Sequence, residues 1–223
     1  ALGLRRLPDA SIRVAARTVA DVPGSVLVSA GSTGATVGAA LLELGRLDGV
    51  RRPVVAARVP LPDGGTVVLL DVGADPDPQP EAYPTMARLG AAHARAMGVD
   101  HPRVGLLNMG VEPRKGTRRT IAAEGLLTGT VGFVGNIEPA DVLRGAVDVV
   151  VCDGFTGNLV LKTIEGLSAG MSDVADRRAT RDRAAHLLGV RGTVLVMHGA
   201  ATGEDFAEAV SLAARCATAG TRQ

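Results

Sequence analysis

The sequence is poor in aromatic residues and in cysteine, and neither sign of charge is in excess. Its 223 residues include three Phe, one Tyr and no Trp, and 24 Lys and Arg are balanced by 23 Asp and Glu. Such a chain is not typical of nucleic-acid-binding proteins, which use basic surfaces and rings that stack on bases. Cys152 and Cys216 form neither a metal-ligand cluster nor a disulfide framework, which favours a reducing compartment. The longest uncharged stretch, 22–42, is broken by Pro, Gly and Ser and predicts strand, loop and helix rather than a membrane span.

Short β-branched runs alternate with alanine-rich stretches, which predicts an α/β fold. A hairpin pattern over 51–72 makes the sheet mixed, although mostly parallel. Later strands are predicted at 131–135 and 148–153, and a helix is predicted from Asn158. The segment 171–186 is charged and has few large apolar residues, so we expect a solvated helix or a mobile excursion there. No repeat and no clear linker divides the chain, and a single domain over 1–223 is expected.

Five glycine-containing loops share one design, in which an apolar strand ends, the loop follows and a helix begins. They are SAGSTGA (29–35), NMGVEPRKGT (108–117), GNIEPAD (135–141), DGFTGN (153–158) and HGAATG (198–203). Loops that leave the carboxyl ends of strands line a common crevice in open α/β sheets, and helix N-termini there favour anions. Turn formation alone accounts for any single loop, but five together favour an anion-binding crevice.

Familiar nucleotide and hydrolase motifs are missing. No G-x-G-x-x-G follows a strand, and in GVEPRKGT the order of Lys115 and Gly116 is the reverse of that in a P-loop. No G-x-S-x-G elbow is present either. Cys152 ends an apolar strand, where a buried structural thiol is favoured over a nucleophile.

The remaining polar residues of these loops suit a small external anion, orthophosphate above all. His198 either contacts substrate or makes a structural hydrogen bond, and Lys115, Asn158, Asp71 and Glu138 complete the polar lining. The expected substrate- and phosphate-binding residues are Ser32, Thr33, Gly34, Asn108, Gly110, Asn136, Asp153, Gly154, Thr156, Gly157 and His198.

At these same loops the sequence resembles the PlsX-type phosphate acyltransferases, which make acyl phosphate from acyl-acyl carrier protein and orthophosphate for phospholipid synthesis. The matching segments are VSAGSTGA (28–35), LLDVGAD (69–75), PRVGLLNMG (102–110), KG (115–116), FVGNIE (133–138), DVVVCDGFTGNLVLKTIEG (148–166), LLGVRG (187–192) and HGA (198–200). The sixth segment is the most specific of them.

The resemblance implies a three-layer α/β/α fold of the isocitrate dehydrogenase and phosphotransacetylase type, a homodimer, and neither a cofactor nor a metal. It implies acyl carrier protein and orthophosphate as substrate partners, a membrane-bound acyltransferase as the next partner, and a cytoplasmic location with attachment to the membrane surface in some relatives. It also implies a catalytic pair, Lys115 and Asn158. Lys115 is expected to hold phosphate or to stabilise the leaving thiolate, and the Asn158 amide to donate to the thioester oxygen as it becomes an oxyanion.

Two departures from the family pattern leave other functions open. The family's opening strand with its Asp-x-Met-Gly-Gly-Asp-type motif has no counterpart in these residues, and the helical excursion before LLGV is short. One alternative is a phosphotransacetylase-like enzyme that uses acyl-coenzyme A. The other is a truncated protein that binds acyl carrier protein or acyl phosphate without turnover.

Overall fold

The computed structural model describes residues 2–170, 184–197, 199 and 201–218. The chain divides into two compact units, one made of the described residues of Ala1–Val55 and Arg181–Gln223, the other of those of Ala56–Thr180. The expectation of a single domain stays a prediction. In the described ranges, no helix is both long enough and apolar enough to cross a membrane.

Helices and strands alternate along the described chain, as the sequence pattern predicts. In chain order they are α1 (Leu2–Arg5), α2 (Ser11–Asp21), β1 (Val26–Ser29), α3 (Thr33–Glu43), β2 (Val54–Pro60), β3 (Thr66–Leu70), a 3-10 turn (Pro80–Ala82), α4 (Tyr83–Ala96), β4 (Val104–Leu107), α5 (Arg118–Leu127), β5 (Phe133–Ile137), α6 (Pro139–Leu143), β6 (Val149–Val151), α7 (Gly154–Gly170), β7 (Ala184–Leu188), β8 (Thr193–Met197) and α8 (Gly203–Thr218).

The strands form a mixed, mostly parallel eight-stranded sheet, which confirms the predicted fold class. The strand order in the first unit is β1-β8-β7-β2, and the strand order in the second unit is β2-β3-β6-β4-β5. Strand β2 appears in both because it begins in the first unit and ends in the second. The β2–β3 hairpin is antiparallel, with Ala57 opposite Leu69, and β7 is antiparallel to β8. The pairs β1–β8, β3–β6, β6–β4 and β4–β5 are parallel.

The core of the second unit is built from strands that are buried on both faces. Every residue of β4 and of β6 is buried, and so are four of the five residues of β3. Near-continuous Val and Leu runs are expected in parallel strands that helices cover, because neither face meets water. Helix α4 packs closely on β3 and β6 at Gly90, where an added Cβ would lie 2.6 Å from Val149 Cγ1 and 2.8 Å from Leu70 Cδ2.

The structure corrects the end of the excursion expected over 171–186. Residues 171–183 lie outside the described residues, but Ala184 already belongs to β7 and packs into a core cluster with Leu195 and Met197 of β8. His186, on the same strand, is also buried. Alanines next to a charged run do not predict a strand. This segment forms a strand because it pairs with β8, which follows it in the chain.

We expect a methyl group to have opposite effects at Gly90 and Gly125, both of which lie inside helices. Gly90→Ala overpacks the contact with Val149, which costs about 1–3 kcal/mol and exceeds the gain in helix propensity. No described atom lies within 4 Å of a Cβ built at Gly125. Gly125→Ala should therefore raise the free energy of unfolding by about 0.5–1 kcal/mol. Urea unfolding measures both, and stabilisation by both variants would contradict the close packing of α4.

An ion pair joins the starts of the neighbouring parallel strands β4 and β6. The Arg103 guanidinium donates to the Asp148 carboxylate from two nitrogens, each at 3.0 Å, and the Arg103 backbone N–H donates to it at 2.8 Å. Burial raises the pKa of Asp148, but the hydrogen bonds from the Arg103 side chain and backbone outweigh burial, so the pKa is lowered overall. The carboxylate is therefore stabilised in its charged form.

The lowered pKa of Asp148 makes this stabilisation dependent on pH. It is present above the carboxyl pKa of the unfolded chain and is lost as the pH falls through the lower folded-state pKa. We expect Asp148→Asn to reduce the free energy of unfolding at pH 7 by about 1 kcal/mol, since half of Arg103 is solvated. Urea titrations should show this deficit shrinking in acid, and a deficit equal at every pH would contradict the assignment. Asp48→Asn is the control, because Asp48 is 97% exposed in its pair with Arg191.

Candidate functional site

Three of the five predicted loops meet at one pocket in the second unit. Its volume is about 710 Å³, and it lies where the parallel strands β6 and β4 end. The carboxyl ends of adjacent parallel strands share one edge of a sheet, which is why these loops converge. Apolar residues on its wall are Pro76, Pro78, Tyr83, Leu107, Met109, Pro139, Phe155 and Val160. Polar residues on its wall are Asp77, Asn108, Thr117, Arg118, Arg119, Thr120, Asp153 and Thr156.

The structure places the predicted site residues in three groups. Asn108, Asp153 and Thr156 line the pocket. A second group of residues lies in the same loops, within three residues of a lining residue along the chain, without lining the pocket: Gly110, Lys115, Asn136, Gly154, Gly157 and Asn158. A third group belongs to the first unit or, for His198, lies outside the described residues: Ser32, Thr33, Gly34 and His198.

In the first unit, Ser32 caps helix α3. Its Oγ accepts a hydrogen bond from the Ala35 backbone N–H at 3.2 Å, as N-cap serines do. Thr33 and Gly34 form the first turn of that helix. Phosphate binding by these three residues stays a prediction.

The loop that carries Lys115 folds back over the ends of β4 and β5. The Lys115 side chain is 44% exposed, and its ammonium lies 3.6 Å from the carboxylate of Glu112, whose own side chain is 65% exposed. A hydrogen bond from the Glu112 backbone and the charge of Lys115 lower the pKa of Glu112. Gly110 lies directly beside the pair, because a Cβ there would lie 2.7 Å from Glu112 Oε2 and 3.2 Å from Lys115 Cε. The cation is thus held by a solvated partner that an anionic ligand can displace.

Asn108 and Asn136 lie at the carboxyl ends of β4 and β5 and are buried. The Asn108 amide donates to the Lys115 carbonyl at 2.8 Å and to Asn136 Oδ1 at 3.2 Å, and Asn136 donates to the Glu112 carbonyl at 3.2 Å. The sequence pattern ended the fifth strand at Gly135, which was wrong, because β5 continues to Ile137 and includes Asn136. Strand pairing with β4 extends the regular structure beyond the glycine.

Helix α7 begins four residues earlier than predicted, at Gly154 rather than Asn158. The Asp153 carboxylate caps it by accepting the Thr156 backbone N–H and hydroxyl, each at 2.7 Å. Asn158 therefore lies beyond the first turn and is half-buried, so its own amide, not the end of the helix, is the available donor. The glycines of this motif were interpreted as a loop, although they allow a helix to approach another segment.

Glycine is required in the first turn of α7 because that turn touches a tight turn at 71–75. Gly154 donates its N–H to the Asp75 carbonyl at 2.8 Å, and a Cβ at that position would lie 2.6 Å from the same oxygen. A Cβ at Gly157 would overlap the carbonyl oxygen of Asp71 and lie 2.9 Å from Cys152 Sγ. Asp71, expected among the polar residues of the crevice, is instead completely buried in this turn.

Two buried groups near the pocket are held in their neutral forms. Burial, followed by the charge of Asp153, raises the pKa of the Tyr83 hydroxyl, and the ring lines the pocket. Burial also raises the pKa of the Cys152 thiol, with Asp153 and Asp71 acting in the same direction. A protonated, buried thiol is a poor nucleophile, which supports a structural role for Cys152.

Several pocket residues were not anticipated from the sequence: Tyr83, Met109, Arg118, Arg119 and Phe155. Arg119 is 2.5 Å from the Asp77 carboxylate, and it also donates to the Asp77 carbonyl at 3.1 Å. Arg118 is exposed at the start of α5. The pair of arginines directly after KGT was a signal for cationic residues in the pocket lining, and Met109 and Phe155 lie in two of the predicted loops, whereas nothing local marked Tyr83.

Comparison with solved structures confirms the three-layer α/β/α fold. The EutD phosphotransacetylase from Staphylococcus aureus matches with a TM-score of 0.68 and 18% identity, over 93% of this chain and 67% of that one. A branched-chain phosphotransacylase from Enterococcus faecalis V583 matches with a TM-score of 0.68 and 16% identity, over 93% of this chain and 79% of that one. At such identities the likeness concerns the fold alone.

Sequence comparison is more specific. The family model described as "Fatty acid synthesis protein" matches residues 2–187. A protein named phosphate acyltransferase from Moorella thermoacetica is 40% identical over an alignment of 248 positions, which covers 99% of this chain and 73% of that protein. Another of the same name, from Desulfitobacterium hafniense, is 39% identical over an alignment of 249 positions, which covers 99% of this chain and 74% of that protein. The chain therefore belongs to the phosphate acyltransferase family of fatty acid synthesis proteins.

Proposed function

We propose that this chain transfers an acyl group from acyl-acyl carrier protein to orthophosphate and releases acyl phosphate. Family membership makes it an acyltransferase, and phosphate is the acceptor that the relatives' name specifies. The observation that carries the proposal is the match to this family over almost the whole chain. The pocket supports it, since its apolar lining residues suit an acyl or pantetheine chain and its arginines and hydroxyls suit phosphate.

The reaction needs a nucleophile, an oxyanion site and a leaving group. A phosphate oxygen of hydrogen phosphate attacks the thioester carbon, a C–O bond forms and the C–S bond breaks. The proton of hydrogen phosphate ends on the carrier thiol, so charge and atoms balance. No covalent intermediate with the protein is required, which agrees with the protonated state of Cys152.

Lys115 and Asn158 are our proposed catalytic pair. The Lys115 ammonium binds phosphate or stabilises the leaving thiolate, and its exchange from Glu112 to substrate is supported by the exposure of that ion pair. The Asn158 amide donates to the thioester oxygen as negative charge develops on it. Its half-buried position on α7, two residues from the lining residues Thr156 and Val160, supports this role.

We infer a homodimer in the cytoplasm, which passes acyl phosphate to a membrane-bound acyltransferase. This inference is supported by the family to which the chain belongs. Light scattering coupled to size-exclusion chromatography tests the dimer, and a monomer at micromolar concentration would contradict it.

The choice of acyl donor is a direct test of the proposed reaction. Incubation with acyl-acyl carrier protein and labelled phosphate should give a labelled product that hydroxylamine converts to a hydroxamate, because acyl phosphates acylate amines readily. Acyl-coenzyme A, supplied at the same concentration, should give a much lower rate. Product from acyl-coenzyme A alone would favour a phosphotransacetylase-like reaction, and binding of either donor without product would favour a non-catalytic protein.

Substitution of the proposed pair should lower turnover without unfolding the protein. Losing one oxyanion donor typically costs about 100- to 1000-fold in kcat, so this loss is expected for Asn158→Ala. Lys115→Ala should lower kcat strongly as well, because a charge near the reacting phosphate or thiolate is lost. Lys162→Ala is the matched control, since Lys162 is the other lysine of the chain and is exposed on α7. Wild-type rates for Lys115→Ala and Asn158→Ala would remove both residues from the mechanism.

A further inference from the structure

The loop of Lys115 has an unusual backbone, with an internal hydrogen bond from the Lys115 N–H to the Glu112 carbonyl at 3.3 Å. Arg114 has a φ of +63°, a left-handed conformation that a residue with a side chain rarely adopts, and Gly116 follows with a φ of +97°. Such conformations persist where surrounding contacts determine them. The position of Lys115, which lies between these two residues, thus depends on contacts from outside the loop.

Three side chains from three different elements supply those contacts. Asn108 at the end of β4 donates to the Lys115 carbonyl at 2.8 Å, and Asn136 of β5 donates to the Glu112 carbonyl at 3.2 Å. Glu124 of α5 accepts the Arg114 backbone N–H at 3.0 Å. The backbone is therefore held immediately before Lys115, at Lys115 itself, and at the residue whose side chain pairs with it.

The two asparagines form one buried unit. Asn108 is 9% exposed and Asn136 is 7% exposed. Asn108 donates one amide hydrogen to the Lys115 carbonyl and the other to Asn136 Oδ1, while its own Oδ1 accepts the Met109 N–H at 2.8 Å. With both amide hydrogens of Asn108 bound to protein acceptors, neither is available to an anion.

We propose that Asn108, Asn136 and Glu124 are positioning residues, which hold segment 112–116 and thereby fix the ammonium of Lys115, and that Asn108 does not bind phosphate. The proposal rests on the catalytic role proposed for Lys115. Gly116 fits this arrangement, because a Cβ there would overlap Asn108 Oδ1 and displace the amide from the loop. Asn136 holds the Glu112 carbonyl, and the Glu112 carboxylate lies 3.6 Å from the Lys115 ammonium.

A double-mutant cycle separates positioning from a merely structural role. Asn136→Asp keeps the shape of the side chain and the acceptor for Asn108 but puts a carboxylate oxygen against the Glu112 carbonyl. In the wild-type background it should lower kcat by about tenfold or more, whereas in the Lys115→Ala background it should lower kcat by less than about twofold. Equal losses in both backgrounds overturn the proposal. Ile137→Val, a neighbouring change in the core, should leave the rate near that of wild type.

Two substitutions of Glu124 test whether its hydrogen bond to the Arg114 N–H matters for activity. Glu124→Gln retains an oxygen that can accept the Arg114 N–H and should keep most of the activity, while Glu124→Ala should behave as Asn136→Asp does in both backgrounds. Equal activity of the Gln and Ala variants contradicts a role for the hydrogen bond to Arg114.

Amine labelling tests the position of Lys115 without reference to catalysis. The chain has two lysines, so the labelling of Lys115 can be compared with that of Lys162 by mass spectrometry after brief treatment with acetic anhydride. Release of the loop should free the ammonium from Glu112 and raise the ratio of Lys115 to Lys162 labelling in Asn136→Asp, but not in Ile137→Val. An unchanged ratio overturns the proposal. If Lys115→Ala were fully active, the catalytic role of Lys115 would fall, and this ratio would still decide whether Asn136 positions it.

Discussion

The buried carboxylate of Asp71 sustains the part of the second unit on which the candidate site is built. It accepts backbone N–H groups of Gly73, Ala74 and Asp75 at 3.2, 3.1 and 2.6 Å. A buried charge without such donors is strongly destabilising. The N–H groups of the turn therefore stabilise the carboxylate, and the carboxylate in return holds the turn in its conformation. The same turn presents the Asp75 carbonyl to the first N–H of α7. The start of α7, and with it the placement of Asp153, Thr156 and Asn158, therefore depends on this one side chain.

Most of the regular structure could be predicted from the sequence, because it depends on local patterns. The antiparallel hairpin β2–β3, for example, followed from two apolar runs and a Pro-Asp-Gly-Gly turn within 51–72. The errors in the predicted secondary structure occur where contacts with a distant segment of the chain determine the local conformation. Strand β7 is regular only because it pairs with β8, and Gly154 and Gly157 serve a close contact between α7 and the turn at 71–75 rather than a loop.

The site was predictable to a smaller extent. Spacing and composition predicted that five loops share one edge of the sheet, and residues of three of these loops line the pocket. Residue type alone indicated that Asn108 and Asn136 contact an anion, but an amide donates equally well to a carbonyl of its own chain. In the structure, both amides donate to backbone carbonyls of the Lys115 loop. No sequence pattern distinguishes the two uses, since the carbonyls concerned belong to a loop whose path depends on the asparagines themselves.

Structural likeness says less about the reaction of this chain than sequence likeness does. The phosphotransacetylases share its architecture at 18% identity or less, so the layers and strand order alone do not define a reaction. The phosphate acyltransferases match at about 40% identity over nearly the whole chain, and segments 102–110 and 148–166, on which the sequence resemblance rests, both include residues that line the pocket.

The contact between Gly157 and Cys152 makes the reactivity of the Cys152 thiol sensitive to movement of the first turn of α7. The thiol is 2% exposed, and helix α7 lies over it with only the hydrogen of a glycine in between. Lifting of the first turn of α7 from the strand end would expose this sulfur to a thiol-alkylating reagent. The rate of Cys152 alkylation thus measures how often the wall of the pocket opens in the native protein.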